Sequence, residues 1–325
     1  MNKIKTFFKN SIFWLECARV YTLPITILSW LVIFVYSIKH HGNIIAGLIA
    51  LIGIGFVHLA TNLADDYFDY AILTKDDKFI QAAQECKCSY LKSNKATLSE
   101  LRNVIILYLL LAALIGLILF LYSGPAVFGL ALIGLLIAIG YQKLSTIGMG
   151  EIAVIIAFGP LMFEGVYYVM TKNFSLDAFI LSIACVLFVN TILYAHMLMD
   201  FDGDECSHKT TLCQKFKTKK AALNFILFFY ILSYIIISIL AQNTGNYFYY
   251  LTYLTIPMVI DLYNSLNLYN KDKTTLPTIY PWHYPLDNWK EIKNTENAPF
   301  YFRFFYSRNI VTAFMLLTCI AILAS

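Results

Sequence analysis

The sequence predicts an all-α, polytopic membrane protein whose chain crosses the bilayer nine times. Three observations carry that expectation. Hydrophobic residues make up 59% of the chain and charged residues 14%, outside the balance of soluble domains. Nine apolar runs each approach the roughly 20 residues that a hydrocarbon core requires. The basic residues, finally, fall almost wholly on one side of those runs. No strand alternation, low-complexity tract or soluble insertion interrupts the pattern, so residues 1–325 read as one integral membrane domain, partnered by lipid and not by nucleic acid.

In chain order the runs lie near 22–39, 44–63, 103–122, 125–142, 151–171, 176–199, 221–241, 247–268 and 308–324. An odd number of crossings puts the termini on opposite sides. With the N-terminus inside, 22 of the 24 Lys and Arg residues fall on cytoplasmic segments and only Lys39 and Lys172 lie outside. The outside connections are short (Ser123–Pro125, Thr171–Ser175, Gln242–Asn246), whereas two inside connections are long. The basic N-terminal stretch runs into the first span without a small-residue cleavage site, so no removable signal peptide is expected and the cell membrane is the expected location. Seven scattered cysteines form neither a disulfide framework nor a zinc pattern.

Chemistry concentrates where spans two and six end. The stretch Asn62-Leu-Ala-Asp-Asp-Tyr-Phe-Asp-Tyr70 closes an apolar run with three carboxylates, and an Asp at mid-bilayer costs about 2.5–3.5 kcal/mol on insertion scales. On a helix, Asn62, Asp65, Asp66 and Asp69 fall within an arc of about 100°. Like charges that close need a cation, and carboxylates with an amide oxygen are hard ligands of the kind Mg²⁺ takes while holding phosphates. The plainer alternative is a cap and a solvated first turn of a loop helix. A second stretch, Asp200-Phe-Asp-Gly-Asp204, follows span six, with Asp200 and Asp204 at i and i+4. The charge-derived topology puts both clusters on the cytoplasmic side, where they can grip one polyanion between them.

Residues around the clusters extend the pattern. Lys78 follows the first cluster and Lys209 the second; both suit diphosphate oxygens, although most of the neighbouring lysines read as topology signals. His58 lies one turn before Asn62, and His196 one turn before Asp200; either can orient or deprotonate an acceptor hydroxyl, or simply link two helices. Asp261 and Asn264 place a third polar spot inside span eight, to bind acceptor or to pair with a neighbouring helix. Aromatic residues, 16% of the chain, suit an isoprenoid-lined cavity in which ring faces stabilise a carbocation, or an interfacial belt.

These motifs resemble the UbiA superfamily of intramembrane aromatic prenyltransferases. Asp65-Asp-Tyr-Phe-Asp69 is similar to its first aspartate signature and Asp200-x-x-x-Asp204 to its second. Arg19-Val-Tyr-Thr-Leu-Pro24, Gly148-Met-Gly-Glu151, Phe158-Gly-Pro-Leu161, Gly165-Val-Tyr-Tyr-Val169 and His208-Lys-Thr-Thr-Leu212 resemble the branch acting on 1,4-dihydroxy-2-naphthoate in menaquinone biosynthesis. The resemblance implies nine helices around a central cavity capped by cytoplasmic loops, and Mg²⁺-dependent transfer of a polyprenyl group from its diphosphate to an aromatic quinone precursor. It implies Asp65, Asp66, Asp69, Asp200 and Asp204 as metal ligands. Catalysis would rest on Asp66, Asp69, Asp200, Asp204 and His196. Substrate binding would fall to Asn62, Arg19, Lys78, Lys209 and Tyr141.

The chain departs from the family pattern in four places, the last of them a connection around Tyr141-Gln-Lys143 that is short compared with the family. Asp65 stands where the first motif usually begins with Asn. His196, Met197 and Met199 stand where the menaquinone branch carries two asparagines and an arginine. The long connection 269–307, with Trp282, His283 and Trp289, has no counterpart. The second departure leaves other acceptors open: 4-hydroxybenzoate, haem, a chlorophyllide or a lipid headgroup. A transporter or non-catalytic scaffold is the reading from another class, but transporters hold ionisable groups at the bilayer midplane, which here describes only Asp261 and the two histidines.

Overall fold

The computed structural model describes residues 11–73, 88–146, 148–201 and 211–325, and among them there is helix and no strand. Seven of the helices are long and apolar enough to cross a membrane. The principal ones are α1 (Leu23–Lys39), α2 (Ile44–Leu73), α3 (Leu98–Ser123), α4 (Ala126–Thr146), α5 (Gly150–Ile156), α6 (Met162–Thr171), α7 (Leu176–Met199), α8 (Lys219–Thr244), α9 (Ile256–Lys271) and α10 (Ala298–Ala324).

Several boundaries differ from the apolar runs, each for a local reason. Helix α3 starts at Leu98, five residues early, because Thr97 and Glu100 form a reciprocal capping box: Glu100 N donates to Thr97 Oγ1 at 3.2 Å and Thr97 N to Glu100 Oε2 at 2.8 Å. Helix α2 continues to Leu73, which sets the first aspartate cluster on the last turns of a long helix and excludes the alternative of a cap opening a new one. One expected span falls short of the others: the run near 247–268 divides into a 3-10 segment (Tyr247–Thr255) and α9, whose polar Asp261, Asn264, Asn267 and Asn270 dilute it, whereas α4 is an apolar helix of 21 residues. The last helix begins at Ala298 and not near 308, so Arg303 and Arg308 belong to it and not to a cytoplasmic loop.

Helices α5 and α6 form one crossing with a kink. Pro160 has no N–H to give, and Ala157–Leu161 takes a π-helical turn in which Gly159 leaves helical geometry (φ −97°, ψ −109°). A Cβ on Gly159 would lie 2.7 Å from Val186 Cγ1, so the kink can rest on α7 only through a residue without a side chain. Helix α7 is the axis of the bundle, with 78% of its apolar stretch buried against 6% for the peripheral α3. It packs on α8, α10 and the kink.

Hydrogen bonds sort the helix ends. At one end Lys39 Nζ reaches Ile322 O (2.9 Å), Asn43 N reaches Met170 O (2.8 Å), Ser123 Oγ reaches Val169 O (2.9 Å) and Asn246 Nδ2 reaches Ala321 O (2.9 Å). These are the short connections that charge assigned to the outside. From that end, at 1.5 Å per residue, Asp66 stands about 33 Å up α2 and Asp200 about 36 Å up α7. Asp66 and Asp200 therefore lie at the same, opposite end, separated from the first by about one hydrocarbon thickness.

The kink gives a packing test. Gly159→Val should lower the melting temperature in detergent through an overpacking cost of about 1–3 kcal/mol, whereas Gly55→Ala, whose Cβ would meet nothing within 4 Å, should leave it unchanged. Equal melting temperatures for the two variants would show that the kink does not need the glycine.

Candidate active site

The site is built on the last turns of α2 and on the turn that precedes α1. Residues 18–22 bend sharply, with Arg19 in the left-handed region (φ 55°, ψ 48°) followed by a 3-10 turn. The bend turns the Arg19 side chain back onto α2. Its guanidinium bonds Asp66 Oδ1 and lies 3.5 Å from Asp65 Oδ2. The other Asp66 oxygen, Oδ2, accepts the Tyr90 hydroxyl at 3.1 Å, and Cys88 Sγ reaches the Asp66 carbonyl at 3.4 Å. Asp66 is 3% exposed, so this carboxylate is buried with its charge matched by Arg19 and its remaining lone pairs by a phenol.

The electrostatics agree with that geometry. Burial works against the Arg19 charge, but the Asp66 and Asp65 carboxylates more than offset it and hold the guanidinium above its ordinary range. Burial, reinforced by Asp66, pushes the Tyr90 phenol upward, which keeps it a donor. Burial and then Asp66 push the nearby Cys17 thiol up to about 12, so it stays neutral.

Asn62 and His58 are tied to the same turn. Asn62 Nδ2 donates to Ala18 O (2.9 Å) and approaches Thr22 Oγ1 (3.2 Å), which orients the amide with its oxygen away from these acceptors. His58 has Nε2 on Thr22 Oγ1 at 2.8 Å and Nδ1 on Thr26 Oγ1 at 2.9 Å. Of its two expected roles it plays the helix-to-helix link, since both ring nitrogens are used. Phe158 of the kink sets its ring edge-on to His58 at 6.1 Å, which brings the kinked crossing beside this site.

The second cluster is described as far as Asp200. His196 Nδ1 lies 3.3 Å from Asp200 Oδ2, and the His196 ring meets Phe300 and Phe304 of α10 edge-on at 5.2 and 6.1 Å. Glu151 Oε1 accepts Leu212 N at 3.2 Å, joining two sequence stretches 61 residues apart that the family resemblance had named separately. Tyr141 lies near the end of α4, half-buried. Asp204, Lys78 and Lys209 lie outside the described residues. Asp261, the third polar spot, pairs with His283 (2.7 Å) and Tyr306 (3.2 Å), which is the pairing and not the acceptor reading.

Tyr90 and Cys88 complete the site without any signal in the sequence, because both come from outside the singled-out stretches, whereas Thr22 belongs to the Arg19–Pro24 stretch. Trp14 and Phe13 pack edge-on to the Tyr90 ring at 6.2 and 6.1 Å, which fixes the phenol over Asp66. Among the described residues no three acidic, cysteine or histidine side chains converge closely enough to hold a metal. The donor chemistry still suits a hard cation, because Asp65, Asp66 and Asp69 bring carboxylate oxygens to one end of α2.

Comparison with known proteins supplies a relation for this arrangement. The chain is 27% identical over 221 residues to 1,4-dihydroxy-2-naphthoate octaprenyltransferase of Escherichia coli (strain K12), covering 61% of this chain and 67% of that protein. It shares its fold with a solved digeranylgeranylglyceryl phosphate synthase, with a TM-score of 0.63 at 18% identity across 100% of both chains. Residues 26–278 match the UbiA prenyltransferase family. The chain therefore belongs to the UbiA prenyltransferase family and is a prenyltransferase.

Proposed function

We propose that this enzyme moves a polyprenyl group from its diphosphate to an aromatic quinone precursor, 1,4-dihydroxy-2-naphthoate, at the cytoplasmic face of the cell membrane. The observation that carries the reading is the level of the two aspartate stretches. One lies about 33 Å and the other about 36 Å from the far end of the bundle, so one diphosphate at the membrane boundary can meet both. The relative from Escherichia coli supports the acceptor, and the distribution of basic residues supports the orientation. The chain then makes nine crossings, with the Tyr247–Lys271 segment as the least apolar one.

In this reading Asp65, Asp66, Asp69, Asp200 and Asp204 form the acidic rim, with the Asn62 amide oxygen beside them. Mg²⁺, when bound there, neutralises the charge that builds on the departing diphosphate. Arg19 holds Asp66 in the resting enzyme, and its second contact to Asp65 places it beside the diphosphate. Lys78 and Lys209 take further diphosphate oxygens, and Tyr141 lines the substrate region. The allylic C–O bond breaks to leave a carbocation, an electron-rich ring carbon of the acceptor forms the new C–C bond, and the ring loses a proton. His196, paired with Asp200 at 3.3 Å, orients the acceptor hydroxyl.

Three experiments test these roles. Asp66→Ala and Asp200→Ala should each lower turnover by at least about a hundredfold, the scale of one strong electrostatic group, while the protein still inserts and purifies. Chelation followed by Mg²⁺ readdition should abolish and restore the wild-type rate, and near-normal rates in either variant would remove the assigned site.

Arg19→Gln leaves a buried carboxylate unpaired and should cost about 3 kcal/mol of stability. The double variant Arg19→Gln/Asp66→Asn should regain stability but not activity, a coupling read from a double-mutant cycle. Recovery of activity along with stability would make the pair merely structural.

His196→Ala should slow transfer to 1,4-dihydroxy-2-naphthoate without weakening diphosphate binding, and His196→Asn should restore part of the rate, since an amide still orients a hydroxyl. An unchanged rate in His196→Ala would remove the histidine from the reaction. Mass spectrometry of products formed from a panel of aromatic acids would then decide the acceptor.

A further inference from the structure

Asp66 stands on a border of α2. At about 100° per residue, Asn62, Asp65 and Asp69 fall on one arc of the helix and Leu59, Leu63 and Tyr70 on the next, with Asp66 between the two. The second arc packs into a small apolar core of its own, which also takes Ala18, Cys88, Tyr90 and Leu91.

The two Asp66 oxygens accordingly meet different surroundings. Oδ2 faces the small core, where it accepts the Tyr90 hydroxyl at 3.1 Å, and both Tyr90 and Cys88 are buried there. Oδ1 faces the acidic arc, where Arg19 bonds it and lies 3.5 Å from Asp65 Oδ2. The Arg19 and Asp65 side chains are 24% and 23% exposed, so Oδ1 is the oxygen on the side open to a cation arriving from water. The guanidinium already marks a place where positive charge sits against both carboxylates.

The Tyr90 phenol is held firmly enough to define a direction. Phe13 and Trp14 brace its ring, and the Tyr90 carbonyl accepts Lys95 N (3.0 Å) and Ala96 N (3.3 Å), which closes the turn 90–96. Cys88 Sγ reaches Asp66 O at 3.4 Å, so the segment is tied to the same aspartate through its backbone as well as its carboxylate. Immediately after the turn, the Thr97 capping box starts α3, which packs along α2. Burial and the Asp66 charge keep the phenol protonated, so it serves Oδ2 only as a donor. A carboxylate that accepts from a hydroxyl fixed in this way loses its freedom to rotate about Cβ–Cγ.

We propose that Tyr90 is a positioning residue for the metal: its hydroxyl locks Oδ2 of Asp66 and thereby keeps Oδ1 turned toward the cation that the acidic rim holds. The inference rests on the reading of Asp66 as a metal ligand and adds the residue that aims it. Hydrogen-bond partners of ligating carboxylates fix their orientation, and losing one typically costs about 10–100-fold in metal affinity.

The test is an electron paramagnetic resonance titration of Mn²⁺ into the purified full-length protein holding a prenyl thiolodiphosphate, an analogue that binds without ionising. Tyr90→Phe removes the hydroxyl and keeps the ring. It should weaken Mn²⁺ binding about 10–100-fold and raise the Mg²⁺ concentration for half-maximal rate by a similar factor, while the rate at saturating Mg²⁺ stays close to that of the wild type. Trp14→Leu keeps the hydroxyl but frees the ring, so it should weaken Mn²⁺ binding by a smaller factor, and it decides the matter if Tyr90→Phe does not fold. Asp66→Asn is titrated alongside. A lowered melting temperature in Tyr90→Phe with wild-type Mn²⁺ affinity, when Asp66→Asn binds Mn²⁺ weakly, would make Tyr90 a mere brace for a buried carboxylate; it would overturn the positioning role and leave Asp66 a ligand. Wild-type affinity in Asp66→Asn as well would remove Asp66 from the metal site and the proposal with it.

Discussion

The structure depends on keeping one carboxylate charged at the edge of the bilayer. Asp66 is almost wholly removed from water, and an ionised carboxylate there persists only if its lone pairs and its charge are both answered. Arg19 answers the charge and Tyr90 the remaining oxygen. That requirement reaches outward through the fold: Arg19 can point at α2 only because the chain bends through a left-handed residue before α1, and Tyr90 can stand over Asp66 only because Phe13 and Trp14 hold its ring. Segments before α1, at the end of α2 and after the first long connection are thereby committed to one place.

The same bend organises the interior beneath the site. Thr22 and Thr26, on one face of the entry to α1, take both nitrogens of His58, and Thr22 shares Asn62 with the Ala18 carbonyl. A ladder of modest hydrogen bonds thus pins α1 to α2 just below the acidic rim. On the far side of the cluster the kink at Gly159 and Pro160 lets the α5–α6 crossing lean onto α7 while Phe158 reaches toward His58. Acidic groups and aromatic surface are brought side by side, the combination required of a site that binds a diphosphate head and an isoprenoid tail.

At the other side of the bundle a second polar system obeys the same rule with a different purpose. Asp261, His283, Tyr306, Asn309 and Arg303 satisfy one another and the backbone of the returning connection, and none of them faces the acidic rim. Polar residues inside a membrane domain therefore serve two distinct ends in this protein. One group gathers carboxylates at the end of α2, and the other ties the returning connection to α9 and α10.

Much of this was determined by the sequence alone. Apolar runs of bilayer length and the two aspartate stretches are local or additive signals, and they pointed to a helical membrane protein and to its family. Local signals also sufficed for the start of α3 once Thr97 and Glu100 are read as a capping box. Only the tertiary structure decided which polar residues meet. Hydropathy does not reveal that Arg19 turns back on Asp66, that Tyr90 supplies the last hydrogen bond, that His58 is consumed by two threonines, or that Glu151 ties down Leu212. The returning connection was the least legible of all, because its Lys and Arg residues read as an ordinary cytoplasmic loop. A charge count records which side of a membrane a residue falls on, whereas burial of Arg303 against three carbonyls is a matter of partners distant in the chain. Pairing of buried polar groups is set by three-dimensional proximity, and proximity is what a one-dimensional pattern does not contain.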